Sequence, residues 1–437
     1  MSLHYSHSNL TELAENGLTP DLLASEQAWL QAAHASITNQ KKEGKLGFAK
    51  LPYADISEIQ LLAEEVAKEC KNLVVVGIGG SDLGTRAIHR ALNHQYYNSV
   101  SEAQNGRPRL FFIGDTTDPE PLLELCDIVD WAETVIVMVS KSGNTIEQMS
   151  TFLVVRQYVL EAVGAEKLKD RIITITDPSD GTLHDMSVQE GYRSLAVPKD
   201  VGGRFSVLTP VGLFPLAVVG VDITAILAGA RDIEENGSEV AAEFAYHQFL
   251  AFSKLKRGIT IMMPYTYALR ELGFWFRQLW AESLGKRVNK QGEVVQTGPQ
   301  PIAAIGPTDQ HSQVQLYMEG PHDKIVTFVT VTNPEHDITV PAAFPELEGA
   351  SYLAGIPLSR ILLEEQKATA SALAAAGRPS VHLEIDTLDA FHIGSLIYFF
   401  ELATAYGGEL WDVDAYNQPG VELGKQLLYK ALGREGY

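Results

Sequence analysis

The stretch that decides the fold is Leu73–Ser81, which reads Leu-Val-Val-Val-Gly-Ile-Gly-Gly-Ser. Its first four residues are apolar and three of them are β-branched, a composition typical of a buried strand. No polar residue alternates with them, so the strand is expected to be covered on both faces, as in a parallel sheet. The glycines that follow suit a tight turn from the strand into a helix.

Short apolar runs of the same kind recur along the first half of the chain, and segments of helical length separate them. Strands are predicted at 73–76, 110–113, 134–139 and 172–176, with helices at about 81–94, 118–129 and 144–163. Strands that alternate with helices indicate βαβ units and a parallel sheet. We therefore expect a doubly wound α/β domain over residues 46–205.

The same alternation resumes after a helical stretch at 207–256. Strands are predicted at 259–263, 301–305, 325–331 and 380–385, with helices at 264–285, 351–376, 387–405 and 419–432. These elements predict a second α/β domain over residues 206–437, which ends in a C-terminal helix. The polar residues 1–45 are expected to form an N-terminal helical arm. The predicted fold class is α/β, with two doubly wound parallel sheets flanked by helices.

The net charge and the cysteine content of the chain limit which binding partners and which cellular compartment we expect. The chain has 437 residues, and its 34 Lys+Arg against 55 Asp+Glu give a net charge of −21. This charge argues against nucleic acid or an anionic membrane as a partner, although one pocket can still be basic enough for a small anion. Cys70 and Cys126 are too few for a disulfide framework or a thiolate metal site, which favours a reducing, cytoplasmic setting.

Nothing in the sequence suggests a targeting or membrane segment. The longest apolar run, 207–220, is short for a span and is interrupted by Pro210 and Pro215. The first sixteen residues are polar and lack the charged-then-apolar pattern of a signal peptide. We therefore expect neither a transmembrane helix nor a secretory leader.

Two loops at predicted strand ends combine glycines with hydroxyl groups. The loop 77–81 can bring backbone N–H groups to an anion at a helix N-terminus, although a plain tight turn explains it equally well. The loop 140–145 reads Ser-Lys-Ser-Gly-Asn-Thr and offers three hydroxyls and one ammonium before a helix. That set suits a phosphate dianion. The alternative is helix capping, which needs only one hydroxyl.

Arg204 and Glu282 are candidates for charge stabilisation and proton transfer. Arg204 follows two glycines that let the backbone turn sharply and present the guanidinium to developing negative charge, unless it is an ordinary loop arginine. Glu282 continues an apolar helix face that includes Trp275 and Leu279. Desolvation there would raise its pKa and make it a better general base. The alternative is a helix-end glutamate that turns back into solvent.

His311 and Lys425 are further candidates. His311 follows a predicted strand and a Gly-Pro turn, and ligand crevices of open α/β sheets lie at such strand ends. A single histidine among twelve is more often structural than catalytic. Lys425 continues an apolar stripe of the last helix, so its ammonium either extends to solvent or points into a polar crevice.

Taken together and in order, these segments resemble the phosphoglucose isomerase family. The resemblance covers about residues 73–425 and rests on six motifs: Gly79-Gly80-Ser81, Ser-Lys-Ser-x-x-Thr at 140–145, Gly-Gly-Arg-Phe-Ser at 202–206, Glu-Ser-x-Gly-Lys at 282–286, Asp-Gln-His at 309–311, and Tyr-Asn-Gln-Pro-Gly-Val-Glu-x-x-Lys at 416–425. Small departures, such as Ser-Gly-Asn at 142–144 and Gly-Pro-Thr at 306–308, indicate a compact prokaryotic type.

The resemblance implies two sugar-isomerase (SIS) domains, a homodimer with sites near the subunit interface, and isomerisation of glucose 6-phosphate and fructose 6-phosphate. It makes Glu282 the base, Arg204 the charge stabiliser, and His311 with Lys425 the ring-opening pair. It also implies that Glu147 orients the histidine. The substrate-binding residues that it implies are Gly80, Ser81, Ser140, Lys141, Ser142, Thr145, Gly203 and Gln418. No metal or other cofactor is implied, because hydrogen moves within one molecule and no HExxH-like spacing occurs.

Three alternatives stay open at this point. A dual-specificity phosphoglucose/phosphomannose isomerase would use the same chemistry on either C2 epimer. A non-catalytic SIS protein that senses sugar phosphates would need the loops at 77–81 and 140–145 but not Glu282, His311 and Lys425. An NAD-dependent dehydrogenase would use the first loop, but the glycine spacing departs from the dinucleotide fingerprint and no ribose-binding acid is evident.

Overall fold

The computed structural model describes residues 3–13 and 16–436 and arranges them as two five-stranded sheets, a two-stranded ribbon and surrounding helices. The strands are β1 Leu3–Ser6, β2 Asn72–Val76, β3 Arg109–Ile113, β4 Thr134–Val139, β5 Ile172–Thr176, β6 Arg193–Ala196, β7 Ile259–Pro264, β8 Lys286–Val288, β9 Val294–Thr297, β10 Gln300–Ala303, β11 Lys324–Val331 and β12 Ser380–Ile385. The α/β fold class predicted from the sequence is confirmed.

Helices connect these strands and cover both sheets. They are α1 Ser8–Thr11, α2 Pro20–Lys42, α3 Ser57–Glu69, α4 Leu83–Leu92, α5 Ser101–Gln104, α6 Glu120–Cys126, α7 Ile146–Val163, α8 Ala165–Leu168, α9 Thr182–Glu190, α10 Pro210–Val218, α11 Ile223–Asp232, α12 Ser238–Ser253, α13 Arg270–Leu284, α14 Val314–Glu319, α15 Glu348–Ser351, α16 Leu358–Ala375, α17 Ala390–Leu410 and α18 Glu422–Ala431. Within the described ranges, no helix is long and apolar enough to span a membrane.

The first sheet is parallel throughout and has the order β3-β2-β4-β5-β6. Every residue of β2, β4 and β5 is buried, as their largely apolar and β-branched composition predicts. Because β2 and β4 are neighbours, the chain continues from β2 to β3 on one side and from β4 to β5 on the other. Strand β6 was not predicted, because Arg-Ser-Leu-Ala at 193–196 is half polar and lies at the sheet edge.

The second sheet has the order β1-β12-β11-β7-β10, and its last four strands are parallel. Strand β1 pairs antiparallel with β12, so Leu3 lies opposite Ile385. The predicted helical arm at 1–45 thus begins, over its described part, with a strand of the second sheet. The helix α2 covers most of the remaining segment.

Long buried helices fill the space behind the second sheet. The central one, α17, is buried along almost its whole length, including the aromatic residues Tyr398, Phe399 and Phe400. The predicted helical stretch at 207–256 is divided into three helices. One break is a turn at Gly220, whose φ of +86° favours glycine, and the other is a π-helical segment at Ile233–Gly237.

Candidate active site

A crevice opens at the carboxyl edge of the first sheet. Strand β2 lies between β3 and β4, so the connections after β2 and β4 diverge to opposite sides of the sheet. Such a point of reversal is where open α/β sheets bind ligands. The loops 77–81 and 140–145, singled out in the sequence, follow β2 and β4 at this point.

The 140–145 loop leads into helix α7 with donor groups unused by the helix itself. Thr145 is the N-cap residue, yet its side chain makes no capping hydrogen bond, which removes the plain capping interpretation for that residue. The hydroxyls of Ser140 and Ser142 accept from the N–H groups of Gly143 and Asn144, at 3.1 and 3.3 Å. The first turn of the helix and the Thr145 hydroxyl are therefore available to an anion.

Two features fix the shape of this loop. Gly143 has a φ of +70°, and a Cβ there would lie 2.4 Å from the backbone nitrogen of Leu183, so no other residue fits. The Lys141 ammonium donates to the carbonyl oxygens of Lys199 and Val201, at 2.8 and 3.0 Å. In this structure Lys141 therefore ties the loop to its neighbour and contributes positive charge from behind the loop.

The glycine loop after β2 lies directly against the segment that carries Arg204. A Cβ on Gly80 would lie 2.3 Å from the carbonyl carbon and oxygen of Gly203, so only glycine allows the two backbones to approach this closely. Gly79, with a φ of +59°, lies beside the side chain of Gln278 on α13. Ser81, at the end of the same turn, closes this side of the crevice.

Arg204 is buried at the centre of the site and uses all of its donor groups. Its Nε donates to Ser283 Oγ at 2.8 Å, and its Nη2 donates to the carbonyl oxygens of Ala415 and Asn417. Its Nη1 donates to Gln418 Oε1 at 3.0 Å and to Glu282 Oε2 at 3.3 Å. Burial lowers the pKa of Arg204, and the Glu282 charge acts in the opposite direction. The guanidinium therefore orients both predicted site side chains.

Glu282 lies in the last turn of α13 and is only partly buried. Trp275 and Leu279, which precede it on the same face, are buried as predicted. The Glu282 side chain keeps 36% of its exposure, so the desolvation expected from the apolar stripe is incomplete. Its second oxygen, Oε1, accepts from Gln278 Nε2 at 3.3 Å. One carboxylate oxygen is thus held by Arg204 and the other faces the crevice beside Gln278.

Lys286 belongs to this cluster, although sequence reasoning gave it no role. Its side chain is 9% exposed, and its Nζ donates to the carbonyl oxygens of Glu282 and Asn417, the latter at 2.9 Å. Burial, followed by the Arg204 charge, lowers the pKa of Lys286 to about 8. Its place in the Glu-Ser-x-Gly-Lys motif at 282–286 could have pointed to Lys286, but the motif does not reveal to which carbonyl oxygens its ammonium donates.

His311 lies at the opposite end of helix α13. It ends a 3₁₀ turn that follows β10, and the adjacent Gln310 accepts from the Tyr265 hydroxyl at 3.0 Å, beyond the end of β7. The pKa of the Asp309 carboxyl is lowered: burial raises it, but hydrogen bonds and the charge of Arg270 lower it more. Asp309 therefore lies near Arg270, the first residue of α13. Helix α13 advances about 18 Å between Arg270 and Glu282. One chain therefore does not bring His311 to Glu282.

Lys425 and Glu147 also lie outside the Arg204 cluster. Lys425 is an exposed residue of α18 whose Nζ pairs with Glu422 at 2.7 Å. Glu147 is half-buried in the first turn of α7, next to the 140–145 loop. The same helix α18 places the Tyr429 hydroxyl 2.9 Å from the carbonyl oxygen of Asn144. The C-terminal helix therefore borders the 140–145 loop, although Lys425 faces solvent.

Comparisons with known proteins give consistent matches over most of the chain. The model of the phosphoglucose isomerase family matches residues 62–434. The glucose-6-phosphate isomerase of Rubrobacter xylanophilus is 42% identical, over 99% of this chain and 98% of its own, and that of Carboxydothermus hydrogenoformans is 41% identical, over 93% and 89%. Among solved structures, a hypothetical protein from Thermus thermophilus superposes with a TM-score of 0.85 at 35% identity, covering 99% of this chain and 100% of that one. A glucose-6-phosphate isomerase from Chlamydia trachomatis shares the fold, with a TM-score of 0.80 at 21% identity, covering 99% and 88%.

Proposed function

The chain belongs to the phosphoglucose isomerase family, and we infer that it interconverts glucose 6-phosphate and fructose 6-phosphate. The observation that carries this function is the ion pair between buried Arg204 and Glu282 at the carboxyl edge of the first sheet. A partly exposed carboxylate held beside a fixed cation is what proton transfer through an enediolate needs. The matched relatives give no support to the phosphomannose, sensor or dehydrogenase alternatives.

The 140–145 loop and the start of α7 bind the phosphate in this proposal. Ser142 and Thr145 supply hydroxyls, the first turn of α7 supplies N–H groups, and Lys141 supplies charge from behind. Gly80, Ser81 and Gly203 form the floor against which the sugar lies. Because the phosphate does not react, its binding energy serves to orient the carbon chain.

Glu282 acts as the base on the open-chain sugar. It removes the proton from C2 of the aldose, the C–H electron pair forms the C1=C2 bond, and negative charge develops on the C1 oxygen. The proton of the C2 hydroxyl moves to the C1 oxygen, and Glu282 returns its own proton to C1 to give the ketose. Arg204 Nη1, between Glu282 and Gln418, lies where it stabilises the developing charge.

Ring opening needs a second proton-transfer group, and we assign it to His311 with Lys425. Since His311 lies on the Arg270 side of α13, and the helix advances about 18 Å from Arg270 to Glu282, His311 serves the site of another copy of the chain in this proposal. A homodimer in which each site combines Glu282 of one copy with His311 of the other meets this requirement. We place such a dimer in the cytoplasm, because its substrates are sugar phosphates and its two free cysteines fit a reducing compartment.

The test compares Glu282→Gln with Glu271→Gln, a change of the same type at the first turn of the same helix. Glu282→Gln is expected to keep the fold and lose roughly 10²–10⁴-fold in kcat for fructose 6-phosphate formation, because a positioned base contributes about that much. Glu271→Gln is expected to behave like the wild type. Near-normal turnover by Glu282→Gln would remove Glu282 from the base role. Mannose 6-phosphate, offered in parallel, reports on breadth at C2.

A further inference from the structure

A second cluster of cations lies at the amino edge of the second sheet, opposite to the edge where its strands end. Arg257 precedes β7, Lys324 opens β11 and Arg378 precedes β12, so three neighbouring parallel strands each begin beside a cation. Together with His322 these side chains line a small recess that is partly open to solvent. None of them belongs to the site assigned to the isomerase reaction.

The guanidinium of Arg257 is buried without a direct ion-pair partner among the described residues. The residue is 4% exposed, its Nε has no hydrogen-bond partner, and it makes no ion pair within residues 3–13 and 16–436. The Nε of Arg378 is also buried without a partner, while its Nη1 donates to the carbonyl oxygen of Pro321 at 3.0 Å. A buried charge of this kind is costly unless an anion accompanies it.

The local charge is positive even though the chain carries −21 overall. The carboxylate of Asp323 is near, but its Oδ1 already accepts from the Lys324 ammonium. Its influence on Arg257 is smaller than the effects of burial and of the neighbouring Arg378. Burial and then the charges of Arg378, Arg257 and Lys324 lower the pKa of the exposed His322. Two guanidinium groups therefore remain uncompensated at one recess.

We propose that this recess binds a dianion of the phosphate class, held between the guanidinium groups of Arg257 and Arg378. Arginine presents paired N–H donors that match phosphate oxygens, and a dianion balances the two charges that the protein leaves unpaired. The Lys324 ammonium and the His322 ring complete the positive surroundings. The ligand is either free inorganic phosphate or the phosphate group of a small ester, since both present the same oxygens.

His322 provides a local readout that the isomerase site does not disturb. The full-length protein is labelled with ¹³C at the histidine ring, and the His322 signal is identified as the one that His322→Gln removes. Inorganic phosphate, glycerol 3-phosphate and acetate are then titrated at constant ionic strength. Phosphate or the ester is expected to move the signal in a saturable way and to raise the His322 pKa, whereas acetate leaves both nearly unchanged. The stronger of the two phosphate arms identifies the source.

Variants decide whether the two arginines hold the anion. Arg378→Met, at a half-buried position, is expected to weaken the phosphate response about tenfold or more, the loss typical of one charge-assisted hydrogen bond. Lys45→Met, which removes an exposed cation elsewhere, serves as the control. No saturable response in the wild type, a response equal to that of acetate, or an undiminished response in Arg378→Met would overturn the proposal.

Thermal unfolding of Arg257→Met supplies an independent check, read with the loop variant Ser142→Ala/Thr145→Ala as the background so that the isomerase site contributes little. Without phosphate, Arg257→Met is expected to be at least as stable as its parent, because it removes an unpaired buried charge. With phosphate, only the parent is expected to gain in melting temperature. If Arg257→Met is instead less stable and both proteins respond equally to phosphate, Arg257 has a packing role alone and the site is refuted.

Discussion

The separation of His311 from Glu282 gives a prediction that can be tested by mixing inactive chains. One partner carries Glu282→Gln and the other His311→Ala, and each homodimer is expected to be impaired by roughly 10²–10⁴-fold. In a crossed arrangement, one site of their heterodimer would combine both damaged residues and the other would combine both intact ones. If His311 crosses to the neighbouring copy, the heterodimer recovers about half of the wild-type turnover, since one of two symmetric sites is whole.

The matched control places both substitutions on the same chain and pairs it with a wild-type chain. In the crossed arrangement each site of this heterodimer contains one damaged residue, so its turnover stays close to that of the single variants. In an uncrossed arrangement the outcome is reversed, because the wild-type chain then carries a complete site. Co-expressed chains with two different tags, purified on both in turn, give the two heterodimers. An inactive mixed heterodimer with a half-active control would refute the argument from the 18 Å along α13.

Three other predictions concern the loop, the buried lysine and acid stability. Ser142→Ala/Thr145→Ala is expected to raise KM for glucose 6-phosphate at least tenfold with a smaller effect on kcat, because each hydrogen bond to a charged group contributes about 1.5–3 kcal/mol. Ser150→Ala, further along α7, is the control. An unchanged KM in the double variant would contradict the assignment. Lys286→Met is expected to lower kcat more than it raises KM, since it frees the carbonyl oxygens of Glu282 and Asn417, and Lys290→Met should leave both constants unchanged. Burial, and then the His7 charge, lowers the pKa of His247 to about 3, so the stability that this neutral ring contributes is complete above about pH 6.5 and is lost as the pH falls toward 3. Urea unfolding at pH 7 and pH 5 should show His247→Gln losing about 2 kcal/mol less than the wild type on acidification, and equal losses would contradict this.

Three strands whose residues are all buried are among those that the sequence predicts well. The predicted runs at 73–76, 134–139 and 172–176 agree with β2, β4 and β5 to within one residue, because short runs rich in apolar and β-branched residues are typical of buried strands. Two edge strands, β1 and β6, escaped prediction for the opposite reason. In β1 and β6 polar residues remain partly exposed, and only pairing with a distant strand makes them strands at all.

The candidate site divides in a similar way. Motifs singled out the 140–145 loop, Arg204 and Glu282. The loop follows a predicted strand and Glu282 ends a predicted helix, whereas Arg204 was noted only for the two glycines before it. The role of Lys286 and the position of His311 depend on distances across the folded chain. Lys286 holds the carbonyl oxygen of Asn417, more than a hundred residues away in sequence. No local pattern of residue types records such a contact, so the sequence alone cannot assign it.

The bonding of Arg204 links substrate binding to activation of the base. All five of its N–H groups are occupied in the structure, so it gains a bond to a substrate oxygen only by releasing one. The longest of its bonds is the one to Glu282, at 3.3 Å, and Nη1 also faces the crevice through Gln418. We therefore expect an incoming oxygen to replace Glu282 on Nη1. A carboxylate that loses its cation becomes a stronger base, so this exchange would release Glu282 for its proposed proton transfer only once the sugar has bound.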